Sequence, residues 1–121
     1  MNIVLWLGQI GLGVIFAAHG YAFLVRPARM ALVFDKLPLS GTQLRLLGWA
    51  ELLGGSGLVL PWWTGILPWL TPLAGVGVAL VLGGAVIYHA RRREGVQAGV
   101  LLGLLLLALL VSAGRVAELT G

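Results

Sequence analysis

Three stretches of the chain carry no charged residue: positions 1–25, 52–90 and 95–114. Apolar residues fill them without the strict alternation of a half-buried strand. A membrane-spanning helix needs roughly 20 such residues, so the first and third stretches each predict one span. The second covers 39 residues. As a single helix it would reach roughly 58 Å, about twice the ~30 Å hydrocarbon core of a bilayer. It must therefore turn. Pro61-Trp62-Trp63-Thr64-Gly65 and Pro68-Trp69 mark the place, because proline and glycine interrupt helices and tryptophan favours the membrane–water boundary. The pattern predicts four spans, at about 3–25, 44–60, 66–88 and 97–117, within a single transmembrane domain covering residues 1–121. The fold class is an all-α, polytopic membrane four-helix bundle.

A transmembrane β-barrel would need short segments alternating apolar and polar residues. Val100–Val111 is continuously aliphatic instead. No Lys or Arg precedes the first apolar run, whereas a cleaved leader wants a basic start and a shorter core. Residues 1–25 are accordingly read as a retained helix. The charged stretch 26–43 is too short to span. Met30 and Phe34, four residues apart, would share one face of a short interfacial segment between helices 1 and 2. Pro38 would end that segment, and Ser40 or Thr42 could cap the second span.

Composition agrees. Of 121 residues, 60% are hydrophobic and 10% charged, where soluble domains carry about a quarter charged residues. This excludes an ordinary soluble enzyme and a nucleic-acid-binding domain. The absence of cysteine removes disulfides, thiol chemistry and thiolate metal sites. Arg26, Arg29, Lys36 and Arg45 lie between or beside spans 1 and 2, and Arg91, Arg92 and Arg93 lie between spans 3 and 4. Only Arg115 falls elsewhere. Seven of the eight basic residues thus share one side of a four-span protein. The positive-inside bias makes that side cytoplasmic, with both termini outside a plasma membrane. The net charge of +4 reads as this topological signal, with some attraction to anionic lipid head groups.

Membrane helices associate through small residues that let backbones approach. Such seams are expected at Gly8, Gly11 and Ala18 in span 1 and at Gly48 and Gly55, beside Gly54, in span 2. In span 3 they fall at Thr71, Gly75, Ala79 and Gly83, and in span 4 at Gly99 and Gly103. His19, Glu51 and His89 are the polar side chains that need a reason, since ionisable groups in a membrane helix usually face the bundle interior and have partners. Counting residues inward puts all three in the cytoplasmic half. Glu51 shares a face with Gly48 and Gly55, so it points to a seam, with His19, His89 and Arg45 as candidate partners. A tie between helices and a ligand-binding or proton-relay site are both open. The two histidines and one carboxylate could make a facial metal triad, but no ligand spacing within a helix supports one, and no metal is expected.

The stretch Leu44–Pro61, with its leucine–glycine pair, glutamate, glycines and leucine-rich end, resembles the second helix of the DoxX-like family. Leu70-Thr-Pro-Leu-Ala-Gly75 and Gly84-Ala-Val-Ile-Tyr-His89-Ala-Arg-Arg-Arg-Glu94 resemble the third helix and its exit. Ala18-His19-Gly20 is similar to the histidine–glycine or serine–glycine pair of the first. The chain departs from the family where a lysine often follows that glycine: here the residues are Tyr21-Ala-Phe-Leu24. The resemblance covers most of the chain. It implies a small four-helix bacterial or archaeal membrane protein linked to redox complexes, the family being named after a subunit of a thiosulfate:quinone oxidoreductase.

A quinone is therefore the candidate ligand. His19 would donate to a ring carbonyl, Glu51 would relay protons, and His89 with Arg45, Tyr88 and Arg91 would form the mouth of the pocket. No haem or iron–sulfur ligands are recognisable, so electrons would come from a redox-complex partner, and no catalytic residue is assigned. The alternatives are a non-catalytic assembly subunit, homo-oligomeric through its glycine faces, and a binder or carrier of a small lipophilic molecule. Membrane lipid is the expected surrounding partner in every case, and nucleic acid in none.

Overall fold

The computed structural model describes residues 2–25 and 36–121. It contains four helices: α1 (Asn2–Val25), α2 (Gly41–Thr64), α3 (Leu70–Arg91) and α4 (Gly95–Thr120). The expected interfacial segment with Met30 and Phe34 lies outside the described residues. α1, α3 and α4 are long and apolar enough to cross a membrane. α2 equals α1 in length but dilutes its leucines with glycine, serine and Glu51. Those are residues it uses against its neighbours, as shown below. The result is the all-helical bundle that the hydrophobic pattern predicts.

Consecutive helices run antiparallel, and α1 closes the ring against α4. One end of the bundle gathers the C-termini of α1 and α3 and the N-termini of α2 and α4. Lys36, Arg45 and Arg91–Arg93 belong to that basic end. The opposite end carries Trp6, Trp62, Trp63, Trp69 and Glu118.

The tightest seam is between α1 and α2. A Cβ built on Gly55 would lie 2.6 Å from the Ala17 amide nitrogen and the Gly13 carbonyl oxygen, and one on Gly20 would lie 2.5 Å from the Gly48 carbonyl oxygen. Gly13 and Gly20, one heptad apart, thus oppose Gly55 and Gly48, also one heptad apart. The expected α2 face is the one used. The expected α1 face is upheld at Gly8, which packs on Val111 and Leu107 of α4, and corrected at Gly11, which meets nothing, and at Ala18, which is exposed. On α3, Thr71 and Ala79 are buried and Gly75 closes on Ser112 of α4, as the four-residue period predicts. On α4, Gly99 and Gly103 face open space. The small residues it turns to the bundle are Ala108 and Ser112, both buried, and Gly114, which abuts Leu5.

The inner core joins Leu12, Phe16, Leu58, Val78, Leu82, Ala108 and Val111. Outward, Ile3, Leu7, Leu53, Leu80, Val96 and Val100 are exposed. In water this would be an aggregating surface, whereas in lipid it is the solvated one.

The second turn also differs from expectation. α2 does not stop at residue 60 but continues through Pro61 to Thr64, and α3 starts at Leu70 rather than 66. Proline lacks the N–H that would satisfy the carbonyl four residues earlier, here that of Gly57. The Thr71 hydroxyl of α3 donates to that carbonyl at 3.1 Å, so the helix can pass the proline without an orphaned acceptor. Gly65, at φ 75°, then ends α2 with its N–H on the Pro61 carbonyl. At the other end of α2, Ser40 and Gln43 form a reciprocal capping box, so the expected cap is Ser40.

Candidate functional site

Glu51 sits between Gly48 and Gly55 on the face of α2 that α1 approaches most closely. The contact at Gly20 carries α1 in until the neighbouring His19 reaches across it. His19 Nδ1 and Glu51 Oε2 are 2.8 Å apart. An ionised carboxylate only accepts hydrogen bonds, so opposite an ionised Glu51 the Nδ1–H donates. The two partners differ in exposure: the Glu51 side chain is 6% exposed and that of His19 50%. The carboxylate is therefore sealed in the seam, while the imidazole forms its outer face. The His19 ring also rests on Phe23, one turn on, at 4.6 Å between centroids.

The consequence is chemical. With Glu51 ionised, Nδ1 is the protonated nitrogen, and Nε2 is the ring nitrogen left for a further partner. Neutral His19 presents an acceptor there, and imidazolium presents a donor. One position can thus receive a proton from a hydroxyl or offer one to a carbonyl. From residue counting, His19 lies six residues, or about 9 Å, inside the basic end of α1.

The other sequence-derived candidates do not join this pair. His89 Nδ1 hydrogen-bonds Glu94 Oε1 at 2.9 Å in the turn between α3 and α4. Arg92 Nε donates to the same oxygen at 3.3 Å. The hydrogen bond from His89, reinforced by Arg92, holds the exposed Glu94 carboxyl below the usual glutamate range. Arg45 is exposed and makes no ion pair among the described residues. Tyr88 and Arg91 line a groove of about 420 Å³ with Lys36, Pro38, Gly84, Ile87 and Arg92. Neither His19 nor Glu51 borders it. Among the described residues, no three His, Asp or Glu side chains gather in a metal-binding group.

Gln9 and Arg115 were not singled out by the sequence reading. Arg115 is fully buried in the last turns of α4. Its Nε donates to Gln9 Oε1 at 2.6 Å, and its Nη1 donates to Asn2 Oδ1 at 2.7 Å and Glu118 Oε2 at 2.6 Å. Gln9 passes the chain on, its Nε2 donating to the Leu58 carbonyl at 2.7 Å. The guanidinium also lies 4.4 Å from the Trp62 ring centroid and 5.3 Å from that of Trp6. The signal was present in outline: a glutamine amid the aliphatics of the first span, and an arginine inside the last predicted one.

Compared with known families, residues 7–113 match the model of the DoxX-like family. This range takes in His19 and Glu51 and stops short of Arg115. No curated protein and no solved structure matches the chain.

Proposed function

The chain belongs to the DoxX-like family, and from that premise we propose that this membrane protein binds a lipophilic quinone against His19 as a subunit of a redox complex. One observation carries the reading: a half-exposed imidazole at the flank of a membrane bundle, with a buried carboxylate hydrogen-bonded behind it. A quinone offers ring carbonyls to accept from Nε2–H, and a quinol offers hydroxyls to donate to Nε2. Its isoprenoid tail would lie along the apolar outer surface, so the ligand reaches the site from the bilayer. Glu51 keeps the ring oriented and stabilises the imidazolium formed when His19 takes a proton. Electrons must come from elsewhere, since the chain has no cysteine for an iron–sulfur cluster and each of its two histidines is committed to a carboxylate. In this reading a partner supplies them, the basic end faces the cytoplasm, and the membrane is a bacterial inner membrane.

A second reading is a helix tie without a ligand. The observation on its side is that the His19–Glu51 contact by itself joins α1 to α2. The two readings part on titration of the purified chain with a short-tailed quinone. His19→Ala should weaken binding about tenfold, the worth of one good hydrogen bond. Glu51→Gln should retain the fold while also weakening binding, because an amide no longer stabilises the imidazolium formed when His19 takes the quinol proton. If both variants bind the quinone as the parent chain does and only melt earlier, the pair is a tie and the quinone reading falls.

A further inference from the structure

We infer that the groove at the basic end is a binding site for one anionic phospholipid. It is lined by Lys36, Arg91, Arg92 and the Tyr88 phenol, with Pro38 close to Lys36 at the basic end and Gly84 and Ile87 further along α3. Among the described residues no acidic side chain lines it. Among the described residues Lys36 and Arg91 make no ion pair, and Arg92 engages Glu94 through Nε only. The nearest described carboxylates are already engaged, Glu94 with His89 and Glu51 with His19. Three cations around a groove of about 420 Å³ therefore call for an external anion.

The shape specifies which anion. Gly84 lies seven residues before Arg91 on α3, about 10 Å further along the helix axis and away from the basic end. The cationic rim sits where α3 ends, at the level of the lipid head groups, and the glycine sits within the hydrocarbon. Polar at its mouth and apolar along its length, the groove fits a phosphodiester followed by an acyl chain. Arg92 also stacks over the Tyr88 ring, 5.4 Å from its centroid, which holds one rim cation in place. A basic recess between membrane helices recognises phospholipid head groups through such charge and depth matching. This site is separate from the His19–Glu51 pair, and its failure would leave the quinone reading standing.

The test is native mass spectrometry of the full chain in detergent, titrated with phosphatidylglycerol, phosphatidylcholine or inorganic phosphate. One phosphatidylglycerol should be retained in preference to phosphatidylcholine. Arg91→Gln and Arg92→Gln should each weaken retention about fivefold, as expected for loss of one surface cation. Arg93→Gln removes an equal charge from outside the groove lining and should change retention little. Gly84→Leu fills the apolar wall without touching the charge. A Cβ there meets nothing within 4 Å, so the bundle should fold while phosphatidylglycerol is lost. Equal retention of the two lipids, an Arg93→Gln loss as large as that of Arg91→Gln, or unchanged retention in Gly84→Leu would overturn the site. Displacement of the lipid by inorganic phosphate at matched concentration would show an anion site rather than a lipid site, and would overturn it as well.

Discussion

Two side chains, Arg115 and Gln9, determine how the tryptophan-rich end of the bundle holds together. A buried guanidinium is tolerable only when its donors find acceptors. Here Gln9 links α4 to the α2 carbonyl of Leu58 while Asn2 and Glu118 take Nη1. Nη2 is buried without a partner among the described residues, so this cluster has little slack. Gln9→Leu would strand Arg115 Nε and should lower the stability of the detergent-solubilised chain by about 2 kcal/mol, since a stranded buried donor costs its desolvation. Glu118→Gln should cost less than Gln9→Leu, because the amide oxygen still accepts from Nη1 and the Glu118 side chain is 38% exposed. Thermal unfolding of both variants checks the ranking, and equal effects would show that Gln9 is not the link. Glu51 was legible at this scale because glycines at minus three and plus four fix its face. Arg115 was not, because a lone arginine near a chain end has the same appearance whether it is solvated or sealed.

At the scale of elements, glycine spacing identified α2 correctly but α1 only in part. Gly48 and Gly55 define one face however the neighbour is placed. α1 carries Gly8, Gly11, Gly13 and Gly20 on several faces, and only the position of α2 decides that Gly13 and Gly20 are used. The same ambiguity misdirected the reading of α4 toward Gly99 and Gly103. A direct comparison follows. Gly55→Ala should destabilise the bundle by about 1–3 kcal/mol, the usual cost of overpacking, because its Cβ would strike backbone rather than a movable side chain. Gly103→Ala meets nothing within 4 Å and should leave unfolding of the isolated chain unchanged. The α3–α4 turn is different in kind, since electrostatics hold it. A carboxyl whose pKa is lower in the folded chain than in the unfolded one adds stability above its unfolded pKa, and that stability fades as pH falls through the folded value. Glu94 is such a group, depressed first by its hydrogen bond from His89. The turn should therefore loosen below the ordinary glutamate range and not on the alkaline side. His89→Ala should move the Glu94 carboxyl midpoint upward, as read by carbon-13 NMR. An unmoved midpoint would show that the His89 contact is not its main cause.

For the whole molecule, the two ends differ in how they treat charge. At one end Lys36, Arg45, Arg91 and Arg93 stand exposed or half-exposed, and Arg92 keeps only a partial tie to Glu94. Among the described residues, the opposite end has one basic side chain, Arg115, and it is buried and paired, so it is not presented to a membrane surface. The asymmetry that orients a chain during insertion is thus sharper in the structure than in the residue count, where Arg115 stood as an exception. The number and order of helices were legible because apolar run lengths are set by bilayer thickness. The partition of charge between solvated and sealed required the packing of α4 against α1. With the basic end in the cytoplasm, as proposed above from the positive-inside bias, both termini would lie outside. Because the chain has no cysteine, single substitutions can report this without a background. Thr42 lies exposed at the basic end and Thr120 exposed at the other, and neither carries a charge that the bias would miss. In intact cells a membrane-impermeant maleimide should label Thr120→Cys directly and Thr42→Cys only after lysis. The reverse pattern would mean that the exposed cations do not set the orientation, and the His19–Glu51 pair would then lie in the outer half of the membrane.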